Sequence, residues 1–225
     1  MKAEKKTKYI IANWKSNFTE RETLQWVSTF ISYDFPSPLG SFRIIICPPA
    51  PFLSLVREKT KHLSFVQVGA QDVSFFPEGA YTGEINARAL TGFARYAIIG
   101  HSERRYYFGE TERILSQKCS EATKNGLEPI FCVRGAGDNI PSHVRFVAYE
   151  PIEAIGTGNN EPLQKVLAMK KNLRLLSGTY FIYGGSVQKS NAGEYLNSSE
   201  IDGLLVGGAS RNPQSFFEII KQYAA

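Results

Sequence analysis

Short apolar runs recur along the chain, at residues 9–12, 43–47, 65–68, 97–99, 129–133, 146–149, 181–183 and 203–206. Within them the apolar side chains are nearly continuous instead of alternating. That pattern belongs to strands covered on both faces, as in a parallel sheet. A short apolar run alone is equally compatible with a buried helix segment. The regular recurrence and the β-branched and aromatic content favour strands. Most gaps between runs carry a helical pattern. Thr19-Glu20-Arg21-Glu22 reads as a capping box for a helix with Leu24, Val27 and Ile31 inward. Thr111 opens a second helix with Leu115, Cys119 and Ala122 on one face, ended by Asn125-Gly126. Asn160, ahead of Glu161-Pro162, starts a third carrying Leu163, Val166, Leu167 and Leu173. Asn212-Pro213 opens the last, with Phe216 and Ile220 inward.

Strands alternating with helices predict an α/β fold, either a closed parallel barrel or a long doubly wound sheet. One domain over residues 1–225 is expected, with residues 1–8 a solvated basic tail. A single link breaks the rhythm. Only residues 134–143 separate the fifth run from the sixth, and Gly135, Gly137 and Pro141 oppose a helix there. A parallel crossover normally takes at least ~10–12 residues including its helix. In a barrel, one outer helix is therefore missing or reduced to a turn. The apolar surface so uncovered would need a cover, for which a second subunit is a candidate.

Composition narrows the classes. At 225 residues and 43% hydrophobic, the chain has enough apolar content to exclude disorder. Of the formal charge of +5, +3 comes from Lys2, Lys5, Lys6 and Lys8 against Glu4. With no basic stripe elsewhere, a nucleic-acid partner is not expected. No apolar run approaches the ~18 residues of a membrane span, and residues 9–12 are too short for a signal-peptide core. Cys47, Cys119 and Cys132 are widely spaced without a CxxC motif, which predicts reduced cysteines, a cytoplasmic location and no metal site.

Barrels keep their chemistry at the C-terminal ends of the strands. There the chain offers Asn13-Trp14-Lys15, then Gly100-His101-Ser102-Glu103-Arg104-Arg105, then Tyr149-Glu150-Pro151. Singly, Lys15 reads as a solvated loop lysine, His101 as a structural histidine, and Glu150 as half of a buried ion pair. Glycines change the weighing: Gly156 and Gly158, Gly184-Gly185 and Gly207-Gly208 follow the last three strands. Glycine lets backbone N–H groups approach an anion, and a phosphate site after strands seven and eight recurs in barrels. Tight turns are the plainer explanation for any one pair.

Taken together, six ordered segments from residue 12 to residue 210 resemble the triosephosphate isomerase family. They are Ala12-Asn13-Trp14-Lys15, Ala80-Tyr81-Thr82-Gly83-Glu84-Ile85, Ile99 to Arg105, Tyr149-Glu150-Pro151 with the stretch to Gly158, Tyr183 to Val187, and Val206 to Ser210. The resemblance implies a (β/α)8 barrel interconverting dihydroxyacetone phosphate and D-glyceraldehyde 3-phosphate without cofactor or metal. It implies Glu150 as the base, His101 as the neutral electrophile, and Lys15 as the cation stabilising the enediolate, with Asn13 beside it. Glu103 would support Lys15, and Gly156, Ser186, Gly207 and Gly208 would hold the phosphate. Pro151, Ile152, Glu153, Ala154, Ile155, Gly156, Thr157 and Gly158 would form a lid, latched by Tyr183 and Ser186. It also implies a homodimer through the Thr82-Gly83-Glu84 loop, with a tetramer as the further option. Two departures stand out. Glu153 occupies a lid position where many members carry tryptophan, so altered lid kinetics are expected. Arg134-Gly135 replaces the usual Gly-Glu. Three other readings compete: a different phosphate-handling barrel enzyme, a barrel that has lost turnover and persists as a phosphate-ligand-binding or structural protein, and, weakest, a nucleic-acid binder resting only on the Lys-rich tail.

Overall fold

A computed structural model of the chain describes residues 7–35, 42–154 and 159–224. Eight parallel strands close into a barrel in sequence order, β1 pairing with both β2 and β8. They are β1 Lys8–Asn13, β2 Phe42–Cys47, β3 Val66–Ala70, β4 Tyr96–Ile99, β5 Glu128–Val133, β6 Phe146–Tyr149, β7 Tyr180–Tyr183 and β8 Gly203–Val206. Around them lie α1 Glu20–Ile31, α2 Leu53–Thr60, α3 Ala87–Leu90, α4 Ser102–Tyr107, α5 Glu112–Lys124, α6 Leu163–Asn172, α7 Lys189–Leu196 and α8 Pro213–Ala224.

The strands are apolar on both faces because both are buried. Ile11, Ile45, Ile98, Ile130, Cys132, Ile182 and Leu205 fill the barrel interior. Their neighbours, such as Ile10, Ile44, Phe131, Val147 and Phe181, pack outward into the layer shared with the helices. All three cysteines are free and buried. β3 starts one residue later than its apolar run and continues to Ala70, since Val66 to Val68 pair with β2 and Gly69 and Ala70 go on to pair with β4.

The capping box forms as expected, with the Glu22 N–H donating to the Thr19 hydroxyl and the Thr19 N–H to the Glu22 carboxylate. The inward face of α1 is different from the expected one. Thr23, Trp26, Val27 and Phe30 are buried, while Leu24 and Ile31 are half-buried. Trp26 and Phe30 win the core because they stack on each other and reach Trp14 and Phe216. α6 begins at Leu163, with Pro162 as its cap, and not at Asn160.

Lys8 corrects the picture of a solvated tail. It opens β1, is buried, and its ammonium donates to the Ser198 carbonyl at 2.6 Å and to the Ile201 carbonyl. A buried ammonium needs such acceptors, and the loop before β8 supplies them.

No helix lies between β5 and β6, as the link's length and glycines required. Asp138 organises the turn, accepting the Arg134 N–H at 2.7 Å and the Arg134 guanidinium at 2.7 Å. The barrel surface here is nevertheless covered by the chain itself: Phe131, Val133, Val147 and Tyr149 are buried. Ile140 packs onto that core, and the Arg105 guanidinium lies 5.6 Å from the Phe131 ring centroid. The outward faces of β5 and β6 are thus covered within the chain.

Candidate active site

The strand ends bring Asn13, Lys15, His101, Glu150, Ser186, Gly207 and Gly208 around one cavity of about 410 Å³. Asn13 ends β1, and its side chain accepts the Lys15 N–H at 3.0 Å. Lys15 has φ +54°, a left-handed conformation that is costly for a non-glycine residue. Gln71, just after β3, holds it there: its side-chain amide donates to the carbonyls of Lys15 at 2.8 Å and Cys47 at 2.9 Å. Lys15 Nζ reaches into the cavity and bonds Glu103 Oε1 at 2.5 Å.

His101 caps α4 and accepts the Glu103 N–H on Nδ1 at 3.2 Å. An accepting Nδ1 leaves the ring proton on Nε2, which lies 2.9 Å from Glu150 Oε1. Glu150 Oε2 accepts the Ser102 N–H at 3.0 Å. Burial alone would raise the Glu150 pKa, but the His101 contact, the Ser102 amide and Lys15 outweigh it and hold the carboxyl below its ordinary value. Burial likewise disfavours a charged His101, yet the adjacent Glu150 carboxylate carries its pKa above the ordinary histidine value. Glu150 supplies the larger part of that upward pull and Glu103 the rest. Protonating Nδ1 would break its bond to the first turn of α4, so a ligand that parts His101 from Glu150 favours the neutral ring. Beneath them the Cys132 thiol bonds Glu150, and burial pushes its pKa well up, so it stays protonated.

On the opposite wall, Ser186 has φ +46° and Gly184 to Ser186 turn tightly after β7. A Cβ on Gly185 would sit 2.4 Å from the Tyr183 hydroxyl and 2.9 Å from Pro151, so only glycine fits. The Tyr183 hydroxyl accepts the Glu161 N–H at 2.9 Å, while the Tyr195 hydroxyl donates to the Glu161 carbonyl at 2.5 Å. Of the expected lid, Pro151 is buried and Ile152 and Glu153 are exposed on a 3-10 turn ending at Ala154. Ile155, Gly156, Thr157 and Gly158 lie outside the described residues. Among the described residues no His, Cys, Asp and Glu cluster suits a metal ion, and no helix is long and apolar enough to cross a membrane.

With this geometry in view, comparisons with known proteins give one answer. A family model described as triosephosphate isomerase matches residues 8–142 and 137–223. The chain belongs to the triosephosphate isomerase family. It is 38% identical to the triosephosphate isomerase of Nostoc punctiforme, across 94% of this chain and 96% of that one. It is 37% identical to that of Dictyoglomus thermophilum and 36% to that of Aquifex aeolicus, each across 95% of this chain and 98% of the relative. The two stretches that match the triosephosphate isomerase model meet at residues 137–142, inside the shortened β5–β6 link. Gln71, Ser102, Cys132 and Arg211 adjoin or line this triosephosphate isomerase site without being legible in advance. Gln71 grips backbone carbonyls, Ser102 offers its backbone N–H, and the Cys132 thiol and Arg211 guanidinium are aimed by the strand and turn that carry them; none of this leaves a pattern in the sequence.

Proposed function

We propose that this chain is a triose-phosphate isomerase, interconverting dihydroxyacetone phosphate and D-glyceraldehyde 3-phosphate through an enediolate without a cofactor. Glu150 removes the proton from the carbon beside the carbonyl and returns it to the neighbouring carbon. His101 donates its Nε2 proton to the developing oxyanion and takes a proton from the other oxygen. Lys15 stabilises the enediolate charge, with Asn13 beside it and Glu103 fixing its ammonium. The backbone amides of Ser186, Gly207 and Gly208, with Gly156, hold the phosphate. The enediolate eliminates phosphate if exposed to water, so a lid over residues 151–158, latched by Tyr183 and Ser186, belongs to this reading. The observation that carries it is the ionised Glu150 carboxylate touching the Nε2 side of His101 in the cavity that also holds Lys15 and the Gly207-Gly208 turn.

The reading places the protein in glycolysis and gluconeogenesis in the cytoplasm, as at least a homodimer. The exposed side chains of Tyr106, Tyr107 and Phe108 support an interface beside α4. A cavity of about 450 Å³, lined by Lys15, His101, Gly83 and Glu84, gives room next to the site for the loop of a second copy.

Turnover of purified wild type beside Glu150→Gln tests the function. A neutral amide accepts no carbon-bound proton, so the variant should lose several powers of ten in rate. Equal rates would overturn the assignment of the base. A wild-type chain that binds phosphate ligands without turning them over would favour a binding protein.

A further inference from the structure

The Gly207-Gly208 turn has a charged neighbour. Arg211 ends the short 3-10 turn Gly208–Arg211 that follows β8, and it lines the same cavity as Lys15, Glu150 and Ser186. Its guanidinium is held at two atoms: Nε donates to the Gly208 carbonyl at 3.5 Å, and Nη1 to Asn17 Oδ1 at 3.3 Å. Both acceptors are neutral, and a guanidinium has further N–H donors beyond these. Among the described residues no ion pair neutralises its charge. The cavity's other permanent cation, Lys15, is already paired with Glu103 at 2.5 Å. A phosphate dianion entering here therefore meets the Glu150 carboxylate, a compensated lysine and uncharged backbone amides. Arg211 brings the one uncompensated positive charge, anchored on the turn that presents those amides.

We infer that Arg211 is a substrate-binding residue that supplies charge-assisted hydrogen bonds to the phosphate group and sets the preference of this subsite for a dianion. The inference takes its ligand from the isomerase reading, but binding is measurable without turnover. The probe is inorganic phosphate, titrated calorimetrically into wild type, Arg211→Gln and Arg211→Lys, with KM and kcat for both triose phosphates alongside. In Arg211→Gln the phosphate Kd and the triose phosphate KM should both rise about tenfold, KM rising by more than kcat falls. Arg211→Lys should recover part of the loss, and the salt dependence of kcat/KM should flatten in Arg211→Gln. A glutamine variant that folds and keeps Kd and KM within twofold of wild type would overturn the inference, as would a wild type that binds no phosphate. A wild type showing Arg211-dependent phosphate binding but no turnover upholds Arg211 and overturns the isomerase reading.

Discussion

Two glycines at the barrel's eighth strand carry different burdens. A Cβ on Gly203 would stand 2.1 Å from the Tyr9 carbonyl oxygen, backbone against backbone where β1 meets β8. A Cβ on Gly208, which lines the cavity, would meet nothing within 4 Å. Gly203→Ala should therefore cost about 3 kcal/mol, visible as a lower urea midpoint, since neither strand can yield without parting the pair. Gly208→Ala should move Tm by about 2 °C or less. It should also weaken inhibition by phosphate, because a methyl group then stands where the anion needs the Gly208 N–H. Unchanged phosphate inhibition in Gly208→Ala would remove Gly208 from the phosphate subsite. At this scale Lys15, His101 and Glu150 were legible because each stands within three residues of the end of an apolar run. Lys8 was not: its charge suggested solvent, and the carbonyls that accept it lie at residues 198 and 201.

Among the elements, the β5–β6 link replaces a helix with a turn built on Asp138. Burial raises the Asp138 pKa, but the hydrogen bonds from the Arg134 side chain and amide outweigh it and hold the carboxyl below its ordinary 3.8. A carboxylate held lower in the folded chain than in the unfolded one adds stability that is complete above the ordinary value. That stability is lost as pH falls through the folded value. Asp138→Asn should therefore cost about 1–3 kcal/mol near pH 7. Its deficit relative to wild type should shrink as pH falls below the ordinary 3.8. Urea midpoints for both proteins across that range check it, and a constant deficit would show that the charge contributes nothing. The absence of the helix was readable from glycine, proline and length. Its consequence was not. Apolar strands signal that something covers them without saying what, and here Ile140 and the Arg105 guanidinium do so within the chain. The inward face of α1 was misjudged for a related reason. Two apolar stripes compete on that helix, and only contact with Trp14 and Phe216 selects the aromatic one.

At the scale of the molecule, the argument for a second subunit rests on the exposed aromatics at the end of α4 and on the cavity beside Lys15 and His101. Tyr106, Tyr107 and Phe108 are 81%, 72% and 68% exposed, apolar surface of the kind that marks association sites. Sedimentation should give a dimer for wild type and a monomer with reduced turnover for Tyr107→Asp/Phe108→Asp. A wild type that stays monomeric at every concentration with full activity would end the homodimer reading. Closure of the barrel has a further consequence, in time. β1 borders β8 along Tyr9 to Ala12, and the Lys8 ammonium is held by carbonyls of the loop that precedes β8. During synthesis the first strand therefore waits with an unpaired edge until residue 203 has emerged. At ~5–20 residues per second that wait lasts roughly 10–40 s. Throughout it, β1 is a template open to other chains. The seam that finishes the fold is also the interval in which the nascent protein is most exposed to aggregation.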